Sequence, residues 1–286
     1  MSRIKPLGLR ILAASLMFGL ATGIANAKPI KEVINAGTIT YYPPFSYKDP
    51  KTSERAGFDH DLFEAMAKKV GSKVNWVEFS FEQITSFAPL KTGRVDVYAM
   101  GGLTDTPERR KNGVTFLDFV YDPFVLYAHK DNVDQYKKDL TALCGRRVSA
   151  TRSSPLQAGL LKEWSKENCE SASKPPITIV DVDNSAQSLL MIKQNRVDAS
   201  ANGAGPLSFI NKSEGGIFVS FGKPLTKFMY GMAYLDENKE FGESLRTALD
   251  ELIADGTYSS LLQKWGLPAE SSIGEAKINA GTTLPQ

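Results

Sequence analysis

The sequence predicts an α/β fold with two lobes, and three observations support that prediction. Strand-like and helix-like segments alternate through most of the 286 residues, which is typical of wound α/β sheets. The order strand, helix, strand, helix, strand occurs twice, and both copies contain a similar helix end, Lys91-Thr-Gly-Arg-Val-Asp96 and Lys193-Gln-Asn-Arg-Val-Asp198. Two extended runs, at residues 119–129 and 228–235, are placed so that the chain can cross between the lobes.

The first 27 residues have the pattern of an export signal. Basic residues precede an apolar run at residues 11–24, and Ala25-Asn26-Ala27 fits a cleavage site. The apolar run, about 14 residues, is shorter than an ordinary membrane span. An uncleaved N-terminal anchor is the alternative, and a cleaved, exported protein beginning at Lys28 is the expectation.

Charge and length exclude some classes of function. The whole chain has 34 Lys and Arg against 32 Asp and Glu, a net charge of +2. Residues 1–27 contain three of the basic residues and no acidic residue, so removing them changes the net charge to −1. The mildly basic balance is therefore no argument for nucleic-acid binding. The 259 residues that remain (286 minus 27) suffice for one large or two medium domains.

Hydrophobic spacing places the elements of each half. The first half has expected strands at 37–42, 73–79 and 95–100, with helices at 59–70 and 84–91. The second half has expected strands at 147–150, 177–182 and 197–201, with helices at 156–166 and 186–194. Helices at 240–255 and 258–265 close the chain, and a polar tail follows.

The two cysteines, Cys144 and Cys169, favour a disulfide, because a cysteine pair in an exported protein is more often a bridge than a reactive site. A reactive pair is the alternative. The only histidines are His60 and His129. We therefore expect no metal site and no cofactor.

The segment Met100-Gly-Gly-Leu-Thr-Asp-Thr-Pro-Glu-Arg-Arg110 is the strongest candidate for a binding site. Its glycines let backbone approach a ligand, and Thr106 followed by Pro107 is typical of a helix start. Backbone amides at a helix start and the guanidinium of Arg109 suit a carboxylate. The same residues also fit a plain strand-to-helix turn with a surface arginine.

Several motifs in order resemble those of periplasmic solute-binding proteins of ABC importers, in the polar amino-acid group (family 3). They cover essentially all of the chain after residue 27. The matching stretches are Tyr42-Pro-Pro-Phe45, Gly57-Phe-Asp-His-Asp-Leu62, Leu90-Lys-Thr-Gly-Arg-Val-Asp96, Thr104-Asp-Thr-Pro-Glu-Arg109, Arg196-Val-Asp-Ala199 and Ala254-Asp-Gly-Thr-Tyr258 with Lys264-Trp-Gly266.

The resemblance implies a type II-like periplasmic binding protein fold with two hinge crossings. Lobe 1 would comprise residues 28–122 and 224–270, lobe 2 residues 123–223, and residues 271–286 a polar C-terminal tail. It also implies a monomer in the periplasm that binds a small amino acid or carboxylate and docks on an ABC permease in the inner membrane. No nucleic-acid partner is expected.

Carried over by position, the resemblance assigns the binding residues of lobe 1. Arg109 is similar to the arginine that pairs with a ligand's α-carboxylate, Thr104 to its hydroxyl and amide partner, and Gly102 to a backbone contact. Tyr42 and Phe45 resemble an aromatic wall over the ligand. Packing against the first helix is the alternative for both, and it is the better explanation for Phe45.

In lobe 2, Ser153 and Ser154 match a stretch where family members bind the carboxylate at a helix start. Ser154 before Pro155 also fits an ordinary N-cap. Arg152 is a candidate receptor for a second acidic group on the ligand, with a solvated loop arginine as the alternative.

The chain departs from the family where the ligand's ammonium is usually held by aspartate. The two expected positions fall on Gly203, with Asn202 beside it, and near Ile39. Asp183 and Asp105 are substitutes that the sequence does not otherwise support. Whether the ligand has an α-amino group is therefore left open.

A transport receptor is the leading hypothesis, and two other classes are weighed against it. Similar proteins include periplasmic cyclohexadienyl dehydratases, for which Glu78, Glu82 or His129 would have to supply an acid. A sensory module is the third class, although no signalling domain is apparent in the sequence.

Overall fold

The computed structural model describes Met1, residues 30–152 and residues 154–282. The expected export signal beyond Met1 and the candidate Ser153 lie outside the described residues. The strands are β1 Val33–Thr38, β2 Tyr41–Tyr42, β3 Ser46–Lys48, β4 Arg55–Ala56, β5 Lys73–Glu78, β6 Val97–Tyr98, β7 Val114–His129, β8 Arg147–Thr151, β9 Thr178–Val182, β10 Ala199–Gly203, β11 Phe218–Leu235 and β12 Lys277–Ile278. The helices are α1 Phe58–Lys69, α2 Phe81–Thr85, α3 Ala88–Lys91, α4 Pro107–Arg110, α5 Lys130–Lys138, α6 Pro155–Asn168, α7 Ser185–Lys193, α8 Ala204–Glu214, α9 Lys239–Ala254 and α10 Thr257–Trp265.

The α/β prediction is confirmed by a large mixed sheet. Its strand order is β5-β1-β6-β11-β7-β10-β8-β9, and β12 pairs with β7 off this path. The three strands β1, β5 and β6 are parallel, as are β8, β9 and β10. Parallel strands need crossover connections, which the intervening helices supply.

Two long antiparallel strands, β7 and β11, lie between these parallel groups and pair along most of their length. One end of β7 pairs with β12 at residues 117–118, and the other end pairs with β10 at residues 124–127. The two extended runs expected from the sequence are therefore the two strands that pass through both halves of the sheet. Asp122 lies on β7 between the residues that pair with β12 and those that pair with β10.

The helix α1 shows how the sequence pattern builds the core. Its apolar residues Leu62, Phe63 and Met66 are fully buried, as their helical spacing predicts. Two aspartates lie in its first turn and two lysines in its last, which complements the helix dipole. Gly71 follows with a φ of 72°, the conformation that glycine takes most readily after a helix.

Several predicted elements differ from the structure. The expected strand 37–42 is divided between the end of β1 and β2, which belong to different sheets, and the expected strand 95–100 is the two-residue β6. Helix α8 was not predicted.

The expected helix 84–91 is two short helices, α2 and α3, separated at Phe87, which has a φ of 56°. Phe87 is fully buried against the rings of Tyr98 and Phe116, so its packing overrides helical continuity. The expected strand 197–201 is β10, which begins and ends two residues later.

The predicted disulfide between Cys144 and Cys169 is present, with a Cα–Cα distance of 5.5 Å. It joins the segment before β8 to the end of α6.

The polar tail after residue 270 is held against the sheet rather than detached from it, because Asn279 exchanges hydrogen bonds with the backbone of Phe116. In the described part of the chain no helix is both long and apolar enough to cross a membrane.

Candidate functional site

The turn between β2 and β3 carries the two aromatic candidates. Backbone amides of Phe58 and Asp59, at the start of α1, donate to the carbonyls of Pro44 and Phe45 at 2.8 and 3.1 Å. Gly57 precedes them with a φ of 133°, and a Cβ there would lie 1.9 Å from the Phe45 carbonyl oxygen. Only glycine fits this approach, so the turn is fixed against the helix start.

A buried carboxylate connects this turn to the glycine pair after β6. Asp59 Oδ2 accepts a hydrogen bond from Ser46 Oγ at 2.8 Å and another from the Gly101 amide. Burial raises the Asp59 pKa to about 7, although both hydrogen bonds oppose the shift. Gly102 lies under the ring of Tyr42, since a Cβ on this glycine would be 3.2 Å from Tyr42 Cε1.

Arg109 extends from α4 toward the same region. Thr106 caps α4 and accepts from the Arg109 amide at 3.3 Å, as the sequence predicted. The guanidinium Nη1 donates to the Thr104 carbonyl at 2.6 Å. The side chain is partly buried, and desolvation lowers the Arg109 pKa to about 10. No acidic side chain of the described residues forms an ion pair with it.

The neighbouring arginine is already paired. Arg110 donates from Nε and Nη2 to the two oxygens of Asp105, at 2.7 and 2.6 Å. The Asp105 carboxylate also accepts from the Gly281 amide at 2.7 Å. Asp105 is therefore engaged in a structural pair, and one arginine of the Arg109-Arg110 dipeptide remains for a ligand.

Tyr230 joins the aromatic residues to Asp122. Its hydroxyl donates to Asp122 Oδ2 at 3.0 Å and lies 3.1 Å from the Tyr42 hydroxyl. Since Tyr230 gives its proton to Asp122, the Tyr42 hydroxyl is the donor of the second bond. Phe45 completes the cluster, stacked on Tyr42 with centroids 5.6 Å apart and edge-on to Tyr230 at 5.4 Å.

Asp122 is fully buried. Besides Tyr230, it accepts from the Gly205 amide at 3.0 Å at the start of α8. Burial raises its pKa to about 7, opposed by these hydrogen bonds. The carboxylate thus connects β7 and β11 with the first turn of α8.

The structure brings five of the candidate residues together, namely Tyr42, Phe45, Gly102, Thr104 and Arg109. Asn202, nearly buried, lies next to Gly203 and accepts the Gly203 amide proton at 2.9 Å. Sequence reasoning missed Asp122 and Tyr230. The available signal was an acidic residue inside the otherwise apolar run that became β7.

The lobe 2 candidates Arg152 and Ser154 have partners of their own. Arg152 is exposed and forms an ion pair with Asp183 at 3.0 Å. Ser154 caps α6 by accepting from the Gln157 amide at 3.3 Å, as its sequence context suggested. No hydrogen bond or ion pair of the described residues joins either to the cluster around Arg109. Their ligand roles stay predictions.

Comparisons with known proteins agree with this architecture. The family model of bacterial extracellular solute-binding proteins, family 3, matches residues 34–268. The lysine/arginine/ornithine-binding periplasmic protein of Escherichia coli K12 is 27% identical, covering 89% of this chain and 95% of that protein.

Solved structures of amino-acid-binding proteins have a similar fold. An ancestral arginine-binding protein bound to arginine has a TM-score of 0.64 and 29% identity, covering 82% of this chain and 98% of that one. An ancestral amino acid-binding protein described as a precursor of cyclohexadienyl dehydratase has a TM-score of 0.64 and 27% identity, covering 82% and 95%. The chain belongs to family 3 of the bacterial extracellular solute-binding proteins.

Proposed function

We propose that this protein is the periplasmic substrate-binding protein of an ABC transporter. It captures a small carboxylate-bearing solute, an amino acid or a related compound, between two closing lobes and delivers it to a permease in the inner membrane. Residues 28–122 and 224–270 form lobe 1 and residues 123–223 form lobe 2, and the protein acts as a monomer. The export signal at residues 1–27 directs it to the periplasm.

The observation that carries the proposal is the state of Arg109. Its guanidinium is partly desolvated, its one hydrogen bond among the described residues goes to the Thr104 carbonyl, and no described acidic residue forms an ion pair with it. A desolvated cation without an ion-pair partner favours an anionic ligand. The adjacent Arg110 shows the contrasting case, because Asp105 already accepts two hydrogen bonds from it.

The surroundings of Arg109 suit a small solute. Gly102 allows backbone to approach, and the Tyr42 ring lies beside it. Thr104 is nearly buried and its backbone pairs with that of Tyr230. These residues supply a carboxylate partner and an aromatic wall, which is the usual composition of a small-molecule site. The relatives named for binding basic amino acids agree with this chemistry.

A thermal-shift screen tests the proposal. The purified protein is melted with each of the twenty L-amino acids, with dicarboxylates and with amines that have no carboxylate. A solute at about 100 times its Kd should stabilise the protein by about 2.7 kcal/mol. We expect a shift from at least one carboxylate and none from the amines.

The matched variants are Arg109→Ala and Arg246→Ala. Arg246 lies on α9, paired with Glu243 and Asp250, and its loss should leave the ligand shift unchanged. The proposal fails if Arg109→Ala keeps the full shift or if only amines stabilise the protein. Mass spectrometry of the incubated solute adds a readout for the enzymatic alternative, because a binding protein returns its ligand unchanged and a dehydratase does not.

A further inference from the structure

The end of the described chain lies against the segment that carries Arg109. Residues 276–281, here called the docked tail, include β12, which pairs with β7. The Asn279 amide donates to the Phe116 carbonyl at 2.9 Å, and the Asn279 side chain accepts from the Phe116 amide at 2.8 Å. The family match ends at residue 268. The docked tail therefore lies outside the part of the chain that the family model covers.

The last two residues of the docked tail bind a pair of buried aspartates. The Ala280 amide donates to Asp118 Oδ2 and the Gly281 amide to Asp105 Oδ2, both at 2.7 Å. Both carboxyl groups are fully buried. The Gly281 carbonyl accepts from Arg110 Nη2, which also donates to Asp105. Gly281 therefore forms hydrogen bonds with both members of the Asp105–Arg110 ion pair.

The contact at Gly281 admits no larger residue. A Cβ atom on Gly281 would collide with the backbone carbonyl oxygen of Asp105 and would lie 2.7 Å from Asp105 Cβ. The colliding oxygen belongs to the backbone and cannot rotate aside as a flexible side chain can. Close backbone approach of this kind needs glycine. One added methyl group is therefore enough to remove the docking of this residue.

Helix α4 depends on contacts at its two ends. It has only four residues, and a helix of one turn is not stable in water by itself. Thr106 caps its start, and the ion pair with Asp105 holds Arg110 at its end. Arg109 lies between these two attachments. A change at the Asp105–Arg110 pair therefore reaches Arg109 through less than one turn of backbone.

Building on the proposed function, we propose that the docked tail is a positioning element of the binding site. Gly281 fixes the Asp105–Arg110 pair, the pair fixes α4, and α4 sets the position from which Arg109 binds a carboxylate. Detaching the tail from Asp105 then weakens the binding of an amino acid, although the tail residues act through others.

A purely stabilising role for the tail is the competing explanation. Strand β12 covers the edge of β7 at residues 117–118, and an uncovered strand edge is unfavourable. In that case, detaching the tail lowers the free energy of unfolding and leaves the affinity of the folded protein unchanged. A positioning role changes the affinity itself. By linkage, binding of the amino acid must then also strengthen the docking of the tail.

The test uses two tail variants and two controls. Gly281→Ala removes the fit at Asp105, and a chain ending at Glu275 lacks the docked tail. Glu275→Ala is the control within the tail, because its exposed side chain pairs with Lys277. The double variant Cys144→Ser and Cys169→Ser is the control for lower stability, because it loses the disulfide.

The probes are the twenty L-amino acids, and the one that binds the wild type most tightly is used throughout. Calorimetry at low temperature, where the proteins are folded, gives the Kd, and urea unfolding gives the stability. We expect Gly281→Ala and the shortened chain to bind at least about 10-fold more weakly, within the usual range of coupling between sites. Both controls should stay within about twofold of the wild type.

Hydrogen exchange locates the effect. The amides of Arg109, Arg110, Asn112 and Gly113 donate the hydrogen bonds of α4 and the turn after it. They should exchange faster in Gly281→Ala than in Glu275→Ala. In the wild type, saturation with the amino acid should slow exchange at the docked tail, and this measurement needs no variant.

If folded Gly281→Ala keeps the wild-type Kd, or if saturation leaves exchange at the tail unchanged, the inference is wrong and the transport function stands. If none of the twenty amino acids binds the wild type, the proposed function loses its amino-acid ligands. Exchange at residues 109–113 then decides by itself whether the tail holds α4: equal rates in Gly281→Ala and Glu275→Ala would overturn the inference.

Discussion

Gly203 and Asp122 compete for one small volume, because a Cβ atom on Gly203 would lie 1.8 Å from Asp122 Oδ2. Glycine at position 203 lets a carboxylate from the crossing strand β7 reach the start of α8. The two residues are far apart in the sequence, and antiparallel pairing of β10 with β7 brings them together, with Gly203 opposite Phe124.

The substitution Gly203→Ala should therefore displace Asp122 and destabilise the protein. We expect a loss of about 1–3 kcal/mol, the usual cost of overpacking a buried site, together with weaker ligand binding. Urea unfolding measures the first effect and calorimetry the second. The control is Gly159→Ala in α6, where a Cβ would meet no atom within 4 Å; alanine there should stabilise the helix by up to about 1 kcal/mol. If Gly203→Ala and Gly159→Ala change the free energy of unfolding equally, the steric argument is contradicted.

Replacing Arg110 should affect stability more than Arg109→Ala does. Arg110→Ala leaves the fully buried Asp105 carboxylate without its cation, a change that costs about 3–5 kcal/mol in buried pairs. Because the Arg110 side chain is 23% exposed, we expect about 3 kcal/mol by urea unfolding. Arg109→Ala, which breaks no described ion pair, should cost less than 1.5 kcal/mol and remove binding. If Arg109→Ala destabilises the protein more than Arg110→Ala does, the structural role given to Arg110 and the binding role given to Arg109 are wrong.

Buried acids should make the free protein more stable as the pH falls from about 7 to about 4. Burial raises the pKa values of Asp59 and Asp122 to about 7, whereas the unfolded chain titrates near 4. Between these values the folded state binds a proton that the unfolded state has lost, so acidification favours folding, by at most about 1.4 kcal/mol per pH unit for each group.

The measurement is urea unfolding at pH 5, 6 and 7, with Asp59→Asn as the comparison. The free energy of unfolding of Asp59→Asn should change less with pH than that of the wild type, because the variant has one titrating group fewer. Below pH 4 the trend should reverse, since Asp61 has a pKa lowered to about 2 and loses favourable interactions when it is protonated. Identical slopes for the two proteins would show that Asp59 does not titrate in this range.

Removing the disulfide should destabilise the protein without altering the site. The sequence separation of Cys144 and Cys169 is 25, for which loop entropy gives about 3.5 kcal/mol. The variant with both cysteines replaced by serine should show this loss in urea unfolding and keep its ligand affinity at low temperature. A matching loss in affinity would indicate that the bridge also shapes the site.

Much of the fold could be predicted from local pattern. The apolar spacing of α1, the N-cap residues Thr106 and Ser154, and the cysteine pair each depend on residues close in sequence or on composition. Phe87 shows where this fails, because burial against Tyr98 and Phe116 breaks a segment whose own residues favour one helix. Helix α8 was missed, and with it the helix start that Asp122 contacts.

The sequence by itself determined the two-lobe α/β plan, the crossing strands and the place of Arg109, because periodicity and short motifs encode them. Only the tertiary structure decided which carboxylates are neutralised. Asp105 and Asp122 look alike in sequence, yet Arg110 pairs with the first and only neutral donors contact the second. The difference arises from contacts between distant segments, such as Asp122 with Gly205 and Tyr230, and no local pattern specifies them.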